Sequence, residues 1–160
     1  MKRFPLQVLL SLRAHRVEQA RQTLLQRREE AQRCRDACVR IEGELIALQF
    51  ERGRQRARLL EPPPDGLSPA QAFAQREAHI AHLETLADIV RQRLFAAQEQ
   101  LRQAELAVEE ARAAFFRAQA RLDALEKRKD LWRSEQRRLA ARAEESASAD
   151  LPPRAAVARG

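Results

Sequence analysis

From Phe73 to Leu139 the chain repeats in sevens, and that repeat restricts its fold more than any other feature. One row of the repeat is Phe73, Ile80, Ala87, Leu94, Leu101, Val108, Phe115 and Leu122. The row three residues on is Leu83, Val90, Ala97, Ala104, Ala111, Ala118, Leu125 and Trp132. Arg, Gln and Glu fill most of the remaining positions. These are the a and d positions of a coiled coil, so a long helix must cover one narrow apolar stripe against another helix.

A matching stripe lies in the first third of the chain. Its a positions are Leu10, Val17, Leu24, Ala31, Cys38 and Leu45, and its d positions include Leu6, Ala20, Cys34, Ile41 and Leu48. Arg13 and Arg27 interrupt the d row, where their aliphatic stems can lie along the seam while the guanidinium reaches water. With only 4 Gly and 4% aromatic residues in 160, the composition suits long helices rather than a layered globule.

Between the two stripes stands EPPPDGLSP, residues 61–69. Consecutive prolines remove backbone donors, Asp65-Gly66 favours a turn, and Ser68 before Pro69 reads as an N-cap with proline in the first helical position. The expected fold is all-α, an antiparallel two-helix coiled-coil hairpin. It has helices over about 5–60 and 69–146, a tip at 61–69, an overhanging C-terminal helix, and a disordered tail over 147–160.

A reversal centred on Pro64 places opposite each other residues whose numbers total 128. Leu24 then faces Ala104, Ala31 faces Ala97, Cys38 faces Val90, and Arg52 meets Arg76 in a poor layer near the tip. Arms of about 55 residues would make a bar roughly 80 Å long at 1.5 Å per residue.

The opening MKRFPLQVLLSLRAHR has a basic start and an apolar run, but Gln7 breaks the run and the heptads follow directly. It reads as a helix start with Pro5 in the first turn, and no stretch approaches the roughly 20 apolar residues of a membrane span. Cys34 and Cys38 are four apart on one helix and both fall on the seam, so they read as small core residues rather than a disulfide or metal site.

No motif of catalysis, metal binding or cofactor binding is present, so the chain reads as a non-enzyme without cofactor. Lys and Arg outnumber Asp and Glu by 30 to 23, giving +7, and 27 of the 30 cations are Arg. Such a balance favours anionic partners. From Glu126 to Arg142 seven basic residues stand against three acidic ones.

Two groups depart from the polar pattern off the seam. Phe4, Val8, Leu9 and Leu12, added to seam residues Leu6 and Leu10, make the first turns more apolar than a helix pair requires, and Leu125, Lys129, Trp132, Arg133, Arg137 and Arg138 lie near them in the expected hairpin. Apolar groups, Arg and one Trp together suit a protein interface. Near the tip, His79, His82, Leu86 and Ile89 form a side stripe next to seam residues Leu83 and Val90, which reads as a docking patch or as a wider core.

RFPLQVLLSLRAHRVEQA, the broken tip, HIAHLETLADI and LEKRKDLWRSEQRRL together resemble the FliJ/YscO/HrpO stalk proteins of type III secretion systems. The resemblance spans the chain to about Ser146. It implies a cytosolic stalk at the cytosolic face of a bacterial secretion apparatus, more similar to the injectisome branch than to the flagellar one. In such a protein the paired helix ends engage a hexameric export ATPase, which here means Phe4, Leu6, Leu9, Leu12, Leu125, Lys129, Trp132, Arg133, Arg137 and Arg138.

The resemblance also implies contact with an export gate near the tip, through His79, His82, Leu83, Leu86, Ile89 and Val90, with secretion chaperones as further partners. The flagellar gate-contact pattern falls on His79, Leu83, Leu86 and Val90 and matches in type at Leu83. A different reading of the same arginines is a structural coiled coil that binds nucleic acid or associates with itself. Interspersed carboxylates and the scarcity of stacking groups disfavour nucleic acid.

Overall fold

The computed structural model describes residues 3–150 and contains two helices, α1 (Gln7–Ala57) and α2 (Pro69–Ala149), paired as an antiparallel coiled-coil hairpin. No described helix is long and apolar enough to cross a membrane. The chain divides into two compact units. Gln22–Ala113 forms one; the described parts of Met1–Arg21 and Ala114–Gly160 form the other.

Burial follows the heptads. In α1 the buried residues are Leu24, Ala31 and Cys38, seven apart, and in α2 they include Ile80, Leu83, Ala87, Val90, Ala97, Ala111, Leu122 and Leu125. These are all a or d residues, as expected for a stripe that only a second helix can cover, and the other buried residue of α2, Ala72, lies off that stripe near the tip. Both cysteines are free thiols on this seam, Cys38 buried and Cys34 half-buried. The seam ends before Leu139, which is 55% exposed, and every residue from Arg137 to Asp150 is exposed.

Helix limits differ slightly from the sequence expectation. Pro5 lies in a turn closed by the Gln7 amide donating to Phe4 O at 3.1 Å, so α1 begins two residues later than expected. It ends at Ala57 rather than near 60. At its other end α2 continues to Ala149, so residues 147–149 are helical where a disordered tail was expected. The expected tail over 151–160 lies outside the described residues.

The start of α2 is held by a reciprocal cap. The Gln71 amide donates to Ser68 Oγ at 3.2 Å, and the Ser68 amide donates to Gln71 Oε1 at 3.1 Å. Two donors that a helix start leaves orphaned are thereby satisfied. Just before it, the Leu67 amide donates to Pro64 O at 3.3 Å across a turn with Gly66 at φ 92°. Glycine suits that left-handed position because a Cβ there is strained.

The pairing register departs from the one expected. Within Gln22–Ala113, Arg93 contacts Glu44 at 2.7 Å, Arg52 contacts Glu84 at 3.7 Å and Arg35 contacts Glu105 at 3.4 Å. Cys34, Ala37, Ala97 and Gln100 line one cavity. These partners total 134 to 140 in residue number, about one heptad beyond 128. Within the other unit Arg13 donates to Arg121 O at 2.7 Å and Phe4 meets Trp132, with the same offset.

The cause is the connection. Residues 58–61 and 64–67 form hydrogen-bonded turns joined through Pro62 and Pro63, and this connection lies beside the first two turns of α2, where Arg76 reaches it. Leu59, Pro63 and Leu67 are half-buried there, and Ala72 of α2 is only 4% exposed. The first turns of α2 therefore pack on the loop, and α1 meets α2 one heptad later.

Arg52 and Arg76 consequently never face each other. Arg52 pairs with Glu84, and the Arg76 guanidinium donates to the carbonyls of Arg58 at 3.0 Å and Glu61 at 2.8 Å, with longer contacts to Leu59 and Pro62 at 3.4 Å. An expected blemish is thus a clasp. A cation also lies where the carbonyl end of α1 carries partial negative charge.

Candidate protein interfaces

Phe4 anchors the unit that holds the N-terminal turns. It is 8% exposed, and its ring lies 5.6 Å from that of Trp132 at 60°, a tilted arrangement favourable to aromatic pairs. Around this pair lies an open groove of about 790 Å³ lined by Arg3, Gln7, Lys129, Asp130, Arg133, Gln136 and Arg137. Four cations stand there against one carboxylate, Asp130, which lies 3.7 Å from Arg133. The groove therefore carries net positive charge over an aromatic floor.

Other candidates from the sequence are placed unevenly. Leu125 is 4% exposed and belongs to the seam, Leu6 and Leu9 are half-buried, and Leu12 is exposed, as are Val8 and Leu131. Lys129 and Trp132 are half-buried; Arg133, Arg137 and Arg138 are exposed. Phe4 and Leu125 hold the helices together, whereas the arginines and Leu12 are what a partner can touch. Arg138 does not line the groove.

In Gln22–Ala113, His79 and His82 are exposed, Ile89 is 50% exposed and Leu86 is half-buried, so part of the side stripe stays outside the core. Leu83 and Val90 are each 6% exposed, and a partner reaches them only if the helices part. His79 lies near Glu51, whose carboxyl is held below its ordinary range chiefly by a hydrogen bond from Gln55 at 2.7 Å. Among the described residues no group of three or more His, Cys, Asp or Glu could hold a metal ion.

Comparison with known proteins places this geometry in a family. The model of the YscO-like protein family matches residues 1–151. The chain belongs to the YscO-like family. A solved structure of CT670 from Chlamydia trachomatis, a candidate YscO homolog, is similar with a TM-score of 0.79 and 20% sequence identity. That match covers 94% of this chain and 92% of the other. At this identity the likeness is one of fold, and no curated protein matches in sequence.

For this YscO-like chain the groove also includes four residues that sequence reasoning passed over: Arg3, Gln7, Asp130 and Gln136. Arg3 and Gln7 flank Phe4, while Gln136 lies one turn beyond Trp132. A polar side chain carries no periodic signal of its own, but proximity to Phe4 and Trp132 was readable once those two were paired. Chemically the groove is suited to a carboxylate-bearing segment that can also cover an aromatic edge.

Proposed function

We propose that this YscO-like chain is a non-enzymatic stalk protein of a type III secretion export apparatus, acting at its cytosolic face. It binds the hexameric export ATPase through the Phe4–Trp132 groove and the exposed arginines of α2. Contact with the export gate runs through His79, His82, Leu86 and Ile89, with secretion chaperones as further partners. The observation that carries this reading is family membership over residues 1–151, joined to a cationic groove on the described N-terminal turns and α2.

Physically, the role asks for a stiff, extended surface that meets acidic partners without a catalytic site. Long paired helices supply stiffness, and Arg133 and Arg137 offer planar, permanently charged forks for carboxylates. The test is stimulation of the export ATPase by the full chain, by a chain ending at Ala124, and by Arg133→Glu with Arg137→Glu. Both altered chains should lose most of the stimulation. Equal stimulation by all three would remove this end of α2 from the mechanism.

A further inference from the structure

Beyond Leu125 the seam of α2 changes character. Its a row, apolar from Phe73 to Leu122, continues as Lys129, Gln136 and Ala143, while its d row continues as Trp132 and Leu139. The heptad spacing is kept, but two polar donors now stand on the seam itself. Lys129, Trp132 and Gln136 are half-buried. The N-terminal segment lines this stretch through Arg3, Phe4 and Gln7, and the seam then runs on to Leu139, which is 55% exposed.

A seam position that carries Lys or Gln needs an acceptor across from it rather than a methyl group. The flank repeats the demand. Lys129, Arg133 and Arg137 stand four residues apart, so they form a ridge of cations about 6 Å apart along the axis at 1.5 Å per residue. Asp130, the one carboxylate lining the groove, lies 3.7 Å from Arg133. Arg3, Lys129 and Arg137 therefore have no carboxylate of their own within the groove.

Taking the groove as the partner-binding site proposed above, we infer that its occupant is an acidic helix of another protein, with carboxylates four residues apart beside one apolar side chain. Continuity with the hairpin seam argues for a helix, since Trp132, Gln136 and Leu139 keep the spacing that α1 covers elsewhere on α2. The apolar residue covers the free edge of Trp132 towards Leu139. Carboxylates at i and i+4 rise by the same 6 Å as Arg133 and Arg137, whose guanidinium forks donate to them in pairs.

Charge excludes the nearer occupants. A second copy offering the same groove would set four cations against four. Residues 151–160 of this chain carry Arg154 and Arg159 and no acidic side chain.

Trp132 is the only tryptophan and the chain has no tyrosine, so its fluorescence reads the groove directly. The full chain is titrated with two synthetic helical peptides of identical composition that lack tryptophan. One carries Glu at every fourth position along one face beside a Leu; the other has the same residues scrambled. The patterned peptide should shift Trp132 emission to shorter wavelength and bind at least about tenfold more tightly than the scrambled one, with affinity falling as salt rises. Arg133→Glu with Arg137→Glu should weaken it at least about tenfold, and a patterned peptide with Lys in place of Glu should bind that variant instead. Both arginines are exposed, so circular dichroism should show unchanged helicity.

Equal binding of the two peptides overturns the proposal by reducing the groove to a diffuse attraction for polyanions, and binding of neither overturns it outright. An emission shift produced by concentrating the chain alone would give the groove to a second copy and overturn it as well. If neither peptide binds while the double variant loses ATPase stimulation, the helix is discarded and the ATPase contact stands. If the patterned peptide binds while the double variant stimulates fully, the helix stands and the ATPase contact lies elsewhere.

Discussion

Replacing Arg76 by Ala removes the clasp that joins the second turn of α2 to the carbonyls following α1. Two of its hydrogen bonds are well formed, to Arg58 O at 3.0 Å and Glu61 O at 2.8 Å, and two contacts at 3.4 Å are marginal. Bonds from a charged donor contribute about 1.5–3 kcal/mol each when shielded, and most of these acceptors are exposed. Taking about 1 kcal/mol for each of the two good bonds gives a loss of about 2 kcal/mol, a factor of about 30 in the opening equilibrium.

That loss should be local. Amide hydrogen exchange of Glu61, which donates to Arg58 O, and of Leu67, which donates to Pro64 O, should accelerate by roughly that factor. Amides near Ala31 should be nearly unaffected. Arg76→Lys keeps a cation at the helix end but cannot fork between carbonyls, so it should recover only part of the protection. Unchanged exchange at 61 and 67 in Arg76→Ala would show that the turn is held by its prolines and the Ser68–Gln71 cap alone.

Three other outcomes are expected. Ala97→Cys should form an intramolecular disulfide with Cys34 or Cys38 under mild oxidation while Val90→Cys should not, a difference visible by mass spectrometry after digestion and reversed if the register totalled 128. Ala31→Leu, at a site only 1% exposed, should lower stability in urea by about 1–3 kcal/mol through overpacking. The Glu99 carboxyl, held down to about 2 by hydrogen bonds from Arg102 and Gln103, has a folded pKa below its unfolded one. Its contribution is therefore complete above the ordinary range and is lost as pH falls from about 4.5 towards 2, and Arg102→Ala should return its NMR titration midpoint towards the ordinary value.

Function was legible in the sequence to the extent that it lies in rows. Trp132 stood out as the lone tryptophan, at the end of the seam, and the arginines around it within a stretch of seven basic residues against three acidic ones. Arg3, Gln7 and Gln136 did not, since a polar residue on a helix surface carries no sign of what lies across from it.

The phase of the hairpin seam was determined by sequence alone, because 3.5-residue periodicity dictates which face of each helix must leave water. The turn chemistry of Asp65-Gly66 and the cap at Ser68 were likewise written locally. Tertiary structure decided which heptad of α1 meets which heptad of α2. A seam that repeats every seven residues looks the same after sliding by seven, and the choice falls to the path of residues 58–68, two hydrogen-bonded turns joined through Pro62 and Pro63 and clasped to α2 by Arg76.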